Sequence, residues 1–227
     1  MWEKLHRLFC EIPGLGKTIR WVSFENIREQ NSLEHSFSLA VLANVVTRLL
    51  KPFHPSLDAE LIKDTAPLHD IGECGQGRDV PYVLRRKFQN REEYENFKRV
   101  FSCVKPEILD ELKRPFLLQF SLFDHSVFEE EERGILRELK ENRRKEAKIF
   151  EALENLEYIF FAIEQWHTKA HEKICKQILE TACPALDKTA EEIKGLDLIW
   201  SEDFRDWCQN FIDTHQHIPP QINEREE

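Results

Sequence analysis

The stretch EAKIFEALENLEYIFFAIEQWHTK, residues 146–169, is the longest run of a single periodicity in the chain. Ile149, Phe150, Leu153, Leu156, Ile159, Phe160 and Ile163 recur at steps of three and four, which aligns them on one face of an α-helix. A stripe of that width predicts a helix buried in a bundle rather than a helix lying on a surface.

Working outward, the same reading holds on both sides. Gly numbers only 7 in 227 residues. The segments between prolines are rich in Glu, Lys, Leu and Ala, a mixture that favours helices over strands and turns. Helices are expected at 2–11, from Ser32 to just before Pro52, at 59–71, 91–103, 106–120, 127–143, 171–182 and 200–214. Ser32 and Asp58 are the expected N-caps of the second and third. Gly72, Gly75 and Gly77 mark a loop before Pro81, and the end of the chain, QHIPPQINEREE, reads as a frayed tail. The fold class is all-α.

The bulk numbers exclude several functions. With 41% hydrophobic and 33% charged residues the chain can build a core and is too apolar for a disordered segment. A net charge of −10 repels a phosphate backbone, so no nucleic-acid partner is expected. The basic runs Arg85-Arg86-Lys87 and Lys140 to Lys148 read as solvated helix surface. No segment approaches the ~18 apolar residues of a membrane span, and the start MWEKLHRLFC is no secretory leader. Cys10, Cys74, Cys103, Cys175, Cys183 and Cys208 form no C-x-x-C pair, which suits free thiols in a reducing cytoplasm. The expected setting is therefore cytoplasmic, with no membrane partner.

Three features carry chemistry: Glu34-His35 in the first turn of the second helix, His69-Asp70 followed by Glu73 at the end of the third, and Glu154 on the long helix. Imidazole nitrogens with carboxylate oxygens suit borderline divalent ions such as Mn, Co, Fe, Ni or Zn. By spacing alone a His beside an acid is more often a surface or capping residue than a ligand. His167 and His171 also share a helical face, but Thr168, Lys169 and Ala170 between them offer no acid.

Together these strings resemble the HD superfamily of metal-dependent phosphohydrolases, and within it the 5'-deoxynucleotidase branch. Arg20-Trp21 precedes Asn26-Ile-Arg-Glu-Gln-Asn-Ser-Leu-Glu-His-Ser36, as an Arg-Trp pair precedes N-x-R-x-E/Q-N-x-x-E-H-S in that branch. His69-Asp-Ile-Gly-Glu73 matches H-D-x-x-E. The loop Gly75 to Pro81 is similar to G-x-x-D/G-D-x-P, and Glu146-Ala-Lys…Glu154 is similar to E-A-K-x-x-x-x-L-D. The likeness covers roughly residues 15–165.

The resemblance implies an HD-domain helical bundle forming one domain over 1–227. Its core would run from about 15 to 170, with additional C-terminal helices from about 171 to 216 and a tail over 217–227. It implies a divalent transition metal held by His35, His69, Asp70 and Glu154. Glu73 would position or deprotonate the attacking water, and Asp79 would protonate the leaving 5' oxygen. Arg20 would clamp the phosphate and Trp21 bound the sugar or base pocket. The implied substrate is a small-molecule nucleotide, foremost a (deoxy)ribonucleoside 5'-monophosphate, and the implied assembly a homodimer. At one position the chain departs from the pattern: the family's last ligand is Asp, and here it is Glu154. An extra methylene shifts a carboxylate by more than about 1 Å, while metal sites hold distances to about 0.2 Å. Three readings stay open: the hydrolase above, an HD-fold hydrolase of another phosphoester (a nucleoside triphosphate or cyclic nucleotide), and a degenerate nucleotide-binding or scaffold protein.

Overall fold

The computed structural model describes residues 6, 8, 10–20, 30–74, 88–167 and 172–214. Its helices are α1 (Ser32–Leu50), α2 (Ala59–Leu68), α3 (Gln89–Val100), α4 (Pro106–Leu118), α5 (Glu130–Asn142), α6 (Arg144–His167), α7 (Glu172–Glu192) and α8 (Glu202–Thr214). The all-α class expected from periodicity is what the chain adopts. A two-residue antiparallel ladder, β1 (Ile19–Arg20) with β2 (Gln30–Asn31), interrupts what the sequence reads as a loop. It sets Arg20 opposite Gln30, and both side chains reach the centre described below.

The periodic stretch forms α6. Ile149, Phe150, Leu153, Leu156 and Ile159 are buried as its stripe predicts. Phe160 is not: it turns outward, 41% exposed, and stacks on Phe204 of α8, while Phe161 is buried in its place. The cause is α7, which packs along α6 and covers a second face of it. α7 itself runs to Glu192, ten residues beyond the expected end, with Pro184 inside. A helix-interior proline costs about 3 kcal/mol. The burial of Cys175, Ile178, Leu179, Ala182 and Leu186 offsets that, at about 1.5–3 kcal/mol for each large side chain. The Phe-rich run that begins in the last turn of α4 is core: Phe116 stacks on Phe97 with ring centroids 4.1 Å apart, and Phe120 and Phe128 pack beside them.

Two helix ends differ from expectation in ways that matter for the site. The N-cap of α1 is Asn31, whose side chain accepts the Glu34 N–H at 2.9 Å, rather than Ser32. That leaves the Ser32 hydroxyl for another acceptor. α2 begins at its expected cap, Asp58, which accepts from the Leu61 N–H, but it stops at Leu68. His69–Glu73 then tightens into a 3₁₀ turn. Such a turn leaves carbonyls that a continuing helix would have satisfied. Side-chain amides from neighbouring helices take them: Gln119 donates to the His69 carbonyl, and Asn96 donates to those of Gly72 and Cys74. α3 packs so closely here that a Cβ at Gly72 would run into the Glu93 backbone.

Among the described residues no helix is long and apolar enough to cross a membrane. None of the six cysteines is in a disulfide. In the second basic run Arg143 pairs with Asp58 and Lys148 with Glu192; the run at 85–87 lies outside the described residues.

Candidate metal centre

α1, the 3₁₀ turn and α6 each bring one part of the centre. His35 stands in the first turn of α1 and is fully buried. Its Nδ1 lies 2.8 Å from Oε2 of Glu157, whose Oε1 accepts from the Gln30 amide at 2.6 Å. Tyr158 stacks on the imidazole with centroids 5.7 Å apart. His69, buried at the start of the turn, has its Nδ1 2.8 Å from the Ala66 carbonyl. A carbonyl only accepts, so this nitrogen carries the proton, and in the neutral form of the ring Nε2 presents a bare lone pair.

That lone pair faces other acceptors. His35 Nε2 is 3.3 Å away, Asp70 Oδ1 3.1 Å and Glu154 Oε1 4.0 Å. One donor atom from each of His35, His69 and Glu154 lies within 4.8 Å of the others. With both oxygens of Glu157 receiving N–H donors, His35 too is protonated on Nδ1 and aims its Nε2 lone pair inward. Acceptors converging on one point repel each other unless a proton or a metal ion sits between them. Ligands about 2.0–2.2 Å from a metal stand roughly 3–4.4 Å apart, so the two imidazoles and Asp70 fit one ion and Glu154 sits near the outer limit. The donor set, two nitrogens and carboxylate oxygens, suits a borderline divalent cation.

The electrostatics of the shell follow from burial. Burial pushes the Glu157 carboxyl above its ordinary value, while Arg20, the Gln30 amide and His69 pull it back. Arg20, itself buried, donates from Nη1 to Asp70 Oδ2 at 3.1 Å and from Nη2 to the Tyr158 hydroxyl at 3.2 Å. Its guanidinium also lies 5.5 Å from the Tyr158 ring centroid. Asp70 Oδ2 is further approached by the Ser36 hydroxyl at 3.5 Å.

The structure thus brings His35, His69, Asp70 and Glu154 together, with Arg20 bonded directly to Asp70. Glu73 is buried one turn along, where Oε2 accepts the Ser32 hydroxyl at 2.8 Å and its carbonyl the Thr18 hydroxyl at 3.2 Å. Trp21 and Asp79 lie outside the described residues. Sequence reasoning missed Glu157, Gln30 and Tyr158. Glu157 was accessible, because Glu154 and Glu157 are three apart and share a helical face. Gln30 was not, since its placement depends on the ladder. Of the other histidines, His125 donates to the Ser121 carbonyl and His54 to that of Lys194.

Two 5'-deoxynucleotidases, of Yersinia pestis (strain Pestoides F) and Yersinia pseudotuberculosis (strain IP 31758), are each 25% identical over 136 residues, covering 59% of this chain and 68% of theirs. A predicted metal-dependent phosphohydrolase of Magnetospirillum magnetotacticum MS-1 has a like fold (TM-score 0.56, 15% identity, 94% of this chain and 91% of that one). So does an HD-domain phosphohydrolase of Listeria innocua (TM-score 0.56, 17% identity, 92% of both chains). A family model described as the HD domain matches residues 14–194. The chain belongs to the HD domain family.

Proposed function

We propose that this protein is a metal-dependent phosphohydrolase that releases phosphate from a nucleotide, foremost a deoxyribonucleoside 5'-monophosphate. The observation that carries the reading is the convergence of His35, His69 and Glu154, with Asp70 beside His69, an arrangement whose donor atoms a divalent cation would hold together. Family membership supports the hydrolytic chemistry, and the 25% identity to 5'-deoxynucleotidases supports the choice of substrate.

In this reading His35, His69, Asp70 and Glu154 hold one divalent transition metal. Such an ion supplies Lewis acidity toward a phosphoryl oxygen and acidifies water. Glu157 and the Ala66 carbonyl hold the two imidazoles in the tautomer that binds. Glu73 takes a proton from the attacking water, with the Ser32 hydroxyl fixing its carboxylate. As water adds to phosphorus and the P–O5' bond breaks, Asp79 gives a proton to the departing 5' oxygen. Arg20 presents its fork to the phosphate while bracing Asp70, and Trp21 bounds the nucleoside.

The Arg20–Asp70 ion pair favours a second reading as well. It already occupies one oxygen of a ligand, as it would in a degenerate site that binds nucleotide without turnover. One experiment separates the two. The purified protein is analysed for metal, then assayed for phosphate release from mono-, tri- and cyclic nucleotides with added Mn or Co, with Asp70→Asn as control. Metal-dependent release from deoxynucleoside monophosphates, lost in the control, is the expected result. Release from triphosphates or cyclic nucleotides alone would replace the substrate, and nucleotide binding with no release would establish the second reading.

A further inference from the structure

Helix α6 sends Glu154, Glu157 and Tyr158 into the centre from one arc of its surface. They stand at i, i+3 and i+4, the spacing that sets side chains over one another on a helical face. The two carboxylates meet the histidines. Tyr158, which is neutral, touches a histidine and an arginine at once. Its ring lies 18° from the plane of His35 with centroids 5.7 Å apart. Its hydroxyl accepts from Arg20 Nη2 at 3.2 Å, and the guanidinium carbon is 5.5 Å from the centroid of the same ring.

Arg20 is thereby held at two points on different elements. Nη1 donates to Asp70 Oδ2 on the 3₁₀ turn at 3.1 Å, and Nη2 donates to Tyr158 on α6. A guanidinium is flat and rigid, so bonds from both terminal nitrogens fix its plane. A single bond to Asp70 would let the group turn about that bond. Each terminal nitrogen carries two N–H groups, of which these bonds use one. An oxyanion with several equivalent oxygens binds a fork whose direction is set in advance more tightly than one it must first order. The phenol is well anchored for this task, because it packs on an imidazole that is fully buried and held by Glu157. Its lack of charge matters as well. A carboxylate in its place would hold Arg20 more strongly, but with Asp70 and Glu154 beside the centre it would add repulsion toward an incoming anion.

We propose that Tyr158 is the positioning residue of an anion clamp: its hydroxyl fixes the plane of the Arg20 guanidinium and so sets how tightly a phosphate dianion is held. The proposal rests on the reading of Arg20 as the group that meets the phosphate. It separates two tasks within one helical arc, Glu154 and Glu157 serving the metal and Tyr158 serving the anion.

Tyr158→Phe tests it by removing the hydroxyl while leaving a ring to stack on His35. The full chain, loaded with Mn, is titrated with inorganic phosphate by calorimetry, and Mn affinity is measured separately by chelator competition. The phosphate Kd is expected to rise about tenfold, the lower end of what one hydrogen bond to a charged group is worth, with Mn affinity within about twofold of wild type. For the nucleotide substrate KM should rise more than kcat falls. In an Arg20→Lys background, where an ammonium replaces the planar fork, Tyr158→Phe should change the phosphate Kd by less than about twofold. That non-additivity marks an effect exerted through Arg20, which general damage to the site would not produce. Unchanged or tighter phosphate binding by Tyr158→Phe would overturn the proposal, as would an equal loss in both backgrounds. A wild-type protein that binds Mn and phosphate but hydrolyses no nucleotide would sink the hydrolase reading alone, since the phosphate titrations still decide the role of Tyr158. Wild type that binds no phosphate would overturn both.

Discussion

Replacing Glu157 by Gln tests how the imidazoles are held. Glu157 accepts from His35 Nδ1 at 2.8 Å and from Gln30 Nε2 at 2.6 Å. A glutamine has one acceptor oxygen and one donor nitrogen in place of two acceptors. With its oxygen kept on His35 Nδ1, the new amide presents an N–H to Gln30, which must flip its own amide to accept, and the carboxylate charge is lost either way. The loss is one charge-assisted hydrogen bond, about 1.5–3 kcal/mol. It falls on the contact that keeps the proton on His35 Nδ1 and the lone pair on Nε2. The same 1.5–3 kcal/mol, at about 1.4 kcal/mol per tenfold, corresponds to a metal affinity lowered roughly 10- to 100-fold, the usual range for partners that orient a metal-bound histidine. Competition against a chelator of known affinity measures this directly, with circular dichroism as a check on folding. A folded Glu157→Gln protein that binds Mn or Co within twofold of wild type would refute the tautomer argument, and with it the claim that the centre is a cation site by construction.

Three further outcomes are expected. Glu154→Asp withdraws the carboxylate by roughly 1.5 Å from a position already 4.0 Å from His69 Nε2, so metal affinity should fall about tenfold or more; a gain would show that the native Glu strains the site. Burial lifts the Cys74 thiol to about 11 despite nearby Arg99, so at pH 8 about one molecule in a thousand is thiolate against roughly one in four for an ordinary thiol. Per-site mass spectrometry should therefore find Cys74 alkylated at least about a hundredfold more slowly than a free cysteine. Its rate should climb tenfold per pH unit until near 11, because the raised value keeps the unreactive protonated form dominant below it. Gly72→Ala forces a methyl into the Glu93 backbone and should destabilise the fold by about 2–4 kcal/mol in urea melts, lowering metal affinity with it as the 3₁₀ turn shifts.

The parts legible in the sequence were those written in local periodicity or in short strings. The stripe at 149–159 named α6, Asp58 named the start of α2, and His35 with His69-Asp70 were singled out by residue type before any geometry was known. Departures came where distant segments decided the outcome. Phe160 is exposed and Phe161 buried because α7, not α6 itself, sets which arc is covered. Helix α7 outruns Pro184 because its packing outweighs a local rule. α2 ends at Leu68 because Asn96 and Gln119, on other helices, stand ready to take the carbonyls of a tighter turn. Gln30 reaches Glu157 only through a two-residue ladder too short to leave a pattern.

The residues that meet at the centre have a consequence for folding itself. His35 and Glu154 are separated by more than half the chain, and His69-Asp70 lies on a turn braced by α3 and the end of α4. No short peptide of this protein contains the proposed donor set, so affinity for an ion would arise only once α1, the turn and α6 have closed on one another. A ligand that binds the native state alone stabilises it by about 2.7 kcal/mol at a hundred times its dissociation constant. On the proposed reading a bound cation is a cross-link between segments more than half the chain apart, one that can be withdrawn with a chelator and restored by adding metal.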